Sequence, residues 1–331
     1  MSPFTEVGPD EGIIDLLLPW LDYGDARLRS ATLERMAAAG YAYVSLTLAL
    51  DGASLQDATL AIGRERAMLR NSEGRYRLAT RVAEIRQARK DGCLAVGFNF
   101  QGTEAVGRNL DLVDAFAALG VRQMLLCYNQ ANAVGAGCHE LNDGGLTRFG
   151  RALVERMNRV GVLVDLSHTG HRTARDAMEV SAKPVVFSHS NPLELFAHGR
   201  NIPAELARAC AATGGVIGIN GCGMFMTDND TSAEGLFRLV DAHVQSVGPA
   251  HVGIGLDWLY DLPAWLTIVQ EPENALRYPD DGDYRRMDVR FAPPEEVPHL
   301  AARLRAAGYA EVDVRAILGG NWLRVLEEVW T

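Results

Sequence analysis

Eight short apolar runs, nearly all separated by stretches with helical spacing, follow one another along the chain without a break. The runs are 12–18, Tyr41–Leu48, Cys93–Phe100, Val121–Tyr128, Val160–Leu166, Pro184–Phe187, Gly215–Asn220 and His251–Leu256. They are aliphatic and β-branched rather than alternating, as strands buried on both faces must be. Helical stretches fall between them: Leu28–Ala39, Gln56–Leu69, Ala79–Lys90, Asp111–Leu119, Leu146–Arg159, His171–Ser181, Ala204–Thr213 and Ala233–Val247. Strand–helix alternation of this kind builds parallel sheets, and eight units favour a closed (β/α)8 TIM barrel over an open doubly wound sheet. No repeat or linker divides residues 1–331, so one barrel is expected. The regular pattern is interrupted over Leu259–Pro298, a Pro-rich excursion expected at the barrel's C-terminal face as a lid or interface element. An amphipathic helix pair over Val312–Trp330 then closes the chain, with Trp322, Leu323, Leu326 and Val329 as a core stripe.

Charge and composition exclude several partners. The net charge of −10 leaves no basic footprint for nucleic acid or an anionic membrane. No apolar run approaches the ~18 residues of a membrane-spanning helix. The N-terminus, MSPFTEVGPDEG, lacks the basic and apolar regions of a secretory signal. Five cysteines without CxxC spacing read as reduced thiols in a cytoplasmic protein.

Two of the apolar runs end alike. Val160–Leu166 is followed by Ser167-His168, and Pro184–Phe187 by Ser188-His189. One crossover helix separates them, so the two strand tips are neighbours on one sheet edge. Barrel enzymes place their chemistry on that edge. Neutral imidazole is the commonest metal ligand, and two converging on one point suit zinc. The other strand ends supply Gln101, Tyr128, Asn129, Asn220 and Asp257. Asp257 ends HVGIGLD, whose glycines permit close backbone approach, and its carboxylate is placed to face the histidines. A metal-activated water with a carboxylate to take its proton makes a hydrolytic site. Arg200, in AHGRN, offers a guanidinium fork for a substrate carboxylate. In the loop 129–145, GAGCHELNDGG groups Cys138, His139 and Glu140; the loop is expected to shape the substrate site, with Glu140 its best outside ligand. His198 is expected to be exposed and His171 solvated.

These pieces, in order, resemble the membrane (renal) dipeptidase family of the amidohydrolase superfamily. GLTRFGRALVERMNRVGVLVDLSH, KPVVFSHS, HGRNIP, GGVIGIN and HVGIGLD carry the resemblance, densest over 145–257. FNFQG, LLCYNQAN and GNWLRVLEEVW are similar to a bacterial branch of it. The resemblance implies a metal-dependent amidohydrolase barrel that hydrolyses dipeptides, generally with two zinc ions. By position, His168 and His189 match the family's histidine ligands of one zinc, Asp257 its proton-handling acid, and Arg200 its carboxylate-holding arginine. A homodimer is also implied.

The chain departs from that family at three places. Leu17 and Pro19 stand where the His-x-Asp motif of the first strand should be. Gln101 replaces the bridging glutamate and Tyr128 a substrate-facing histidine. One zinc is therefore expected, held by His168, His189 and Asp257 with an open water position. Tyr128 is expected to donate to a developing oxyanion, with Gln101 and Asn129 beside Arg200 on the substrate. Three functions remain open: a one-zinc hydrolase of a dipeptide or related amide, a hydrolase of the same fold acting on a cyclic amide or modified amino acid, and a metal-free binding protein.

Overall fold

The computed structural model describes residues 12–330, apart from the side chain of Asp281. The leader reading concerned residues 1–12, of which 1–11 lie outside the described residues. Nine strands form one parallel sheet: β1 Ile13–Pro19, β2 Tyr41–Leu50, β3 Tyr76–Leu78, β4 Leu94–Gln101, β5 Val121–Leu125, β6 Leu163–Asp165, β7 Val186–Phe187, β8 Val216–Ile219 and β9 Val252–Ile254. β1 pairs with β2 on one side and β9 on the other, and β2 also pairs with β4. The sheet therefore closes into an eight-stranded (β/α)8 barrel, as the alternation predicts. β3 is the addition: Tyr76–Leu78 pair with Leu94–Val96 of β4, whereas β5 takes the later residues Phe98–Gln101.

Local chemistry sets the helix starts around this ring. Asp25, Ser54, Thr147 and Ser232 each accept a backbone N–H of the helix that follows, a cap typically contributing about 1 kcal/mol. Gly161 ends the helix Arg148–Val160 at φ 71° and turns the chain directly into β6. The barrel interior is filled by Ile14, Tyr43, Leu163, Val186 and Val216 packed around Trp322. The Trp322 indole donates to Ile254 O at 3.0 Å and is fully buried. A Cβ on Gly253 would meet that indole at 2.5 Å, and one on Gly255 would meet Ser188 O at 1.8 Å. Glycine in HVGIGLD is thus required by contact, and the expected close approach is present.

Two expectations need correction. The C-terminal closure is one helical run, Glu311–Arg315 passing through a π-helical turn Ala316–Gly320 into Asn321–Val329, rather than a pair. The excursion is more ordered than its prolines suggest. It opens with a helix, Leu262–Gln270, capped by Asp261, and its Tyr278, Tyr284 and Val289 are buried against Tyr128 and Phe225 at the barrel mouth. A bridge between Cys222 and Phe291 ties its far end to the loop after β8. Among the described residues no helix is long and apolar enough to cross a membrane.

Candidate functional site

The short strands β6 and β7 are held in register by Asp165. Its Oδ1 accepts from Ser167 N and Ser188 N; its Oδ2 accepts from Gln123 Nε2 at 2.9 Å and from the Ser188 hydroxyl. The backbone of His189 is tied back in turn, donating to Ser167 Oγ at 3.1 Å. This clamp sets the two following histidines side by side, with His168 Nε2 and His189 Nε2 2.9 Å apart. Both rings are buried. The convergence expected from the two Ser-His endings is present.

Neighbouring groups decide where the ring protons lie. Asn129 Nδ2 donates to Arg277 O at 2.9 Å, which turns its amide oxygen towards His168 Nδ1 at 2.7 Å. That oxygen accepts only, so His168 carries its proton on Nδ1. The Ser188 hydroxyl gives its hydrogen to the Asp165 carboxylate and therefore accepts from His189 Nδ1 at 2.6 Å. Both Nε2 atoms are consequently bare lone pairs aimed at each other. A proton between them is disfavoured: burial, then the nearby Arg200 charge, holds both imidazoles well below their ordinary pKa. Two bare nitrogens converging in a buried pocket, each ring oriented through its other nitrogen, supply two ligands of the type a zinc ion takes.

Three site residues leave their strands in the left-handed region: Asn129 at φ 64°, His168 at 59° and Asp257 at 56°. Non-glycine residues rarely adopt this conformation, and such local strain concentrates at functional sites. Asp257 shares a cavity of about 40 Å³ with His168, Gln101, Tyr128 and Cys222. Its Oδ2 accepts from Asn220 Nδ2 at 3.1 Å, and burial, tempered by Arg200, pushes its carboxyl up to about 7. The expected three-ligand set is not assembled: among the described residues no group of three or more His, Cys, Asp or Glu side chains could hold a metal ion. Asp257 is bonded to Asn220 through Oδ2 alone, and the metal-ligand types that the structure brings into contact are the two imidazoles.

Arg200 is only 2% exposed. Its guanidinium donates to His189 O at 2.9 Å and lies over Phe225, while its Nε has no partner. Carboxylate oxygens form ion pairs with many arginines of the chain but, among the described residues, none pairs with Arg200. A buried cation with an unused donor calls for an anion.

Other expectations shift. Asn129 is fully buried, with its amide oxygen on His168 Nδ1 and its amide nitrogen on Arg277 O. Gln101 lines the cavity and donates to Thr47 Oγ1 at 3.1 Å. Tyr128 also lines it, with its ring packed edge to face on Tyr278 at 84°. Glu140 is exposed and caps Ala131 N, away from the cavity. His198 is half-buried rather than exposed: Nδ1 accepts Arg200 N and Nε2 bonds Gly282 O, each at 3.0 Å. Asp165 and Ser188 were missed by sequence reasoning, and Asn220, named among the strand ends, was given no role. The signal for Asp165 was an acid inside the apolar run VLVDLSH. Nothing local marks Trp265, Tyr278 and Tyr284 of the excursion, which roof the cavity.

Comparison with known proteins gives a consistent result. The family model for membrane dipeptidase (Peptidase family M19) matches residues 24–280. An uncharacterized protein encoded in the pqqA 5′ region of Klebsiella pneumoniae is 30% identical over 278 residues, covering 80% of this chain and 92% of that one. A crystal structure of an amidohydrolase from Pseudomonas aeruginosa superposes with a TM-score of 0.87 at 29% identity, covering 100% of this chain and 99% of that chain. A Rhodobacter sphaeroides metallopeptidase liganded with a phosphinate mimic of the dipeptide L-Ala-D-Ala has a TM-score of 0.75 at 23% identity, covering 95% and 99% of the two chains.

Proposed function

The chain belongs to the membrane dipeptidase family, and from that premise we propose that it hydrolyses a small carboxylate-bearing amide with a single zinc ion held by His168 and His189. The observation that carries this reading is the pair of bare Nε2 atoms 2.9 Å apart, each fixed by a hydrogen bond at its own Nδ1. Bound there, zinc supplies a Lewis acid that brings the pKa of a water molecule towards neutrality.

The remaining roles belong to the chain's own side chains. Arg200, buried and without an ion-pair partner, holds the substrate's carboxylate. Asp257, with a carboxyl near 7, takes a proton from the attacking water and returns it to the leaving nitrogen. Tyr128, which lines the cavity, donates its hydroxyl hydrogen to the carbonyl oxygen as negative charge develops. Gln101 offers a neutral amide to the substrate's amide group.

Elemental analysis of protein purified without chelator tests the reading. One equivalent of zinc is expected, lost in His168→Ala and His189→Ala, together with zinc-dependent cleavage of an amide panel. Protein that binds no zinc when saturated with it would overturn the proposal.

A further inference from the structure

A free dipeptide brings two charges to a site: a carboxylate at one end and an ammonium at the other. Arg200 provides for the first. Among the described residues the cavity holds no ion-pair partner set aside for the second. Its wall beside β1 and β9 is Pro19, Leu21 and Leu259, and its floor carries the neutral amide of Gln101. Among the described residues Asp257 is the one carboxylate lining it, and hydrolysis needs that group free to take a proton. The acids behind the wall are occupied. Asp15 accepts Leu17 N at 2.9 Å and Leu256 N at 3.2 Å. Asp51 accepts four donors, from Thr103, Glu104, Tyr128 and Asn132.

A cation is held by the open face of a ring, and three tyrosine rings lining the cavity are already packed on other rings. Tyr128 is covered by His168 at 4.0 Å, and Tyr23 stacks on Tyr260 at 4.7 Å. Tyr278 meets Tyr128, Trp265 and Tyr284 edge to face, at 84°, 74° and 62°. Desolvating an ion without a partner is costly, whereas an alkyl or aryl group gains by entering such a pocket.

We propose that the substrate is an N-acyl amino acid, with an uncharged apolar acyl group against the Leu21 and Leu259 wall and a free carboxylate on Arg200. This rests on the amide-hydrolase reading above. Water adds to the acyl carbonyl, the carbon–nitrogen bond breaks, and the nitrogen leaves with a proton as the amino group of a free amino acid. A carboxylic acid is the second product.

An isosteric pair tests it. N-isobutanoyl-alanine differs from alanyl-alanine in carrying a methyl group where the dipeptide has its ammonium. The zinc-loaded protein should cleave N-isobutanoyl-D-alanine or N-isobutanoyl-L-alanine with kcat/KM at least tenfold above the dipeptide of matching C-terminal stereochemistry. Leu21→Asp, which puts an anion on the half-buried edge of the wall, should shrink that ratio at least tenfold. Dipeptides cleaved equally well or faster would overturn the proposal and leave the hydrolase reading standing. If neither class is cleaved, the hydrolase reading fails, and calorimetry decides the inference alone. Binding of N-isobutanoyl-alanine at least tenfold tighter than alanyl-alanine supports it, and equal binding overturns it.

Discussion

The phenol ring of Tyr128 lies flat on the imidazole of His168, with ring centroids 4.0 Å apart and planes 22° from parallel. The residue thus has two separable parts: a face that fixes a zinc-binding ring and a hydroxyl that reaches the cavity. Tyr128→Phe keeps the face, so zinc affinity should stay within about twofold. Amide turnover should fall about 10²-fold, the loss typical of one oxyanion donor. Tyr128→Ala removes the face as well and should weaken zinc binding. Calorimetric titration with zinc alongside kcat separates the two, and equal turnover in Tyr128→Phe and the parent protein would remove the hydroxyl from the chemistry.

Asn129 determines which nitrogen of His168 is free. Its oxygen accepts from Nδ1 at 2.7 Å because its amide nitrogen is spent on Arg277 O. Asn129→Leu has similar volume and no acceptor, so the ring loses its tautomer lock. Removing a partner of this kind typically costs 10–100-fold in metal affinity, and a loss in that range is expected by zinc competition titration. Nitrogen-15 NMR should show His168 protonated at Nδ1 in the parent protein and a mixture in the variant. A protein with Nε2 protonated before mutation would refute the assignment.

The barrel and its histidine pair were legible because both rest on local pattern. Eight apolar runs separated by helical stretches leave few topologies, and two Ser-His endings one crossover apart must be neighbours. The rest depends on contacts far apart in the chain. β3 was missed because Tyr76, Arg77 and Leu78 are too few to show a period and pair only with β4. The bonds of Asn129 were not legible because its partners, His168 and Arg277, lie 39 and 148 residues away. The same distance hid Tyr278 and Tyr284: tyrosines in a Pro-rich stretch carry no sign that they roof a barrel mouth. His198 was taken as exposed because nothing local reveals its bond to Gly282 O, 84 residues on.

Asp51 joins three barrel loops through one carboxylate. Its Oδ1 accepts Thr103 N at 2.8 Å and Glu104 N at 3.0 Å; its Oδ2 accepts Tyr128 N and Asn132 Nδ2, each at 2.9 Å. Asn in its place offers one acceptor, and its amide hydrogens would face two donors. Leaving buried donors unsatisfied costs about 1–3 kcal/mol each, so Asp51→Asn should lose about 2–4 kcal/mol in urea unfolding. Because the Tyr128 backbone loses its anchor, turnover should fall more than tenfold even where the variant is fully folded. An unfolding free energy within 0.5 kcal/mol of the parent (roughly the scatter of neutral surface substitutions) would show that the loops do not depend on this group.

His243 gives a stability test that does not involve the site. It lies on the helix Ala233–Val247, buried, with Nε2–H donating to Ser190 O at 3.1 Å. Burial lowers its pKa to about 4, partly offset by the Ser190 bond and the charge of Glu194. The unfolded chain, with an ordinary imidazole near 6.5, binds a proton as pH falls below that value while the native protein does not until about 4. Native stability from this residue is therefore complete above pH 6.5 and is lost progressively down to pH 4, a total of about 3 kcal/mol. His243→Gln keeps an N–H for Ser190 O and has no proton to gain. Other titrating groups, the buried carboxyls of Asp15 and Asp51 among them, act on both proteins alike and cancel in the difference. Urea unfolding at pH 7 and pH 4 should show the variant gaining about 3 kcal/mol on the parent across that interval. Parallel pH profiles for the two proteins would mean that the imidazole is already protonated, or already solvated, in the native fold.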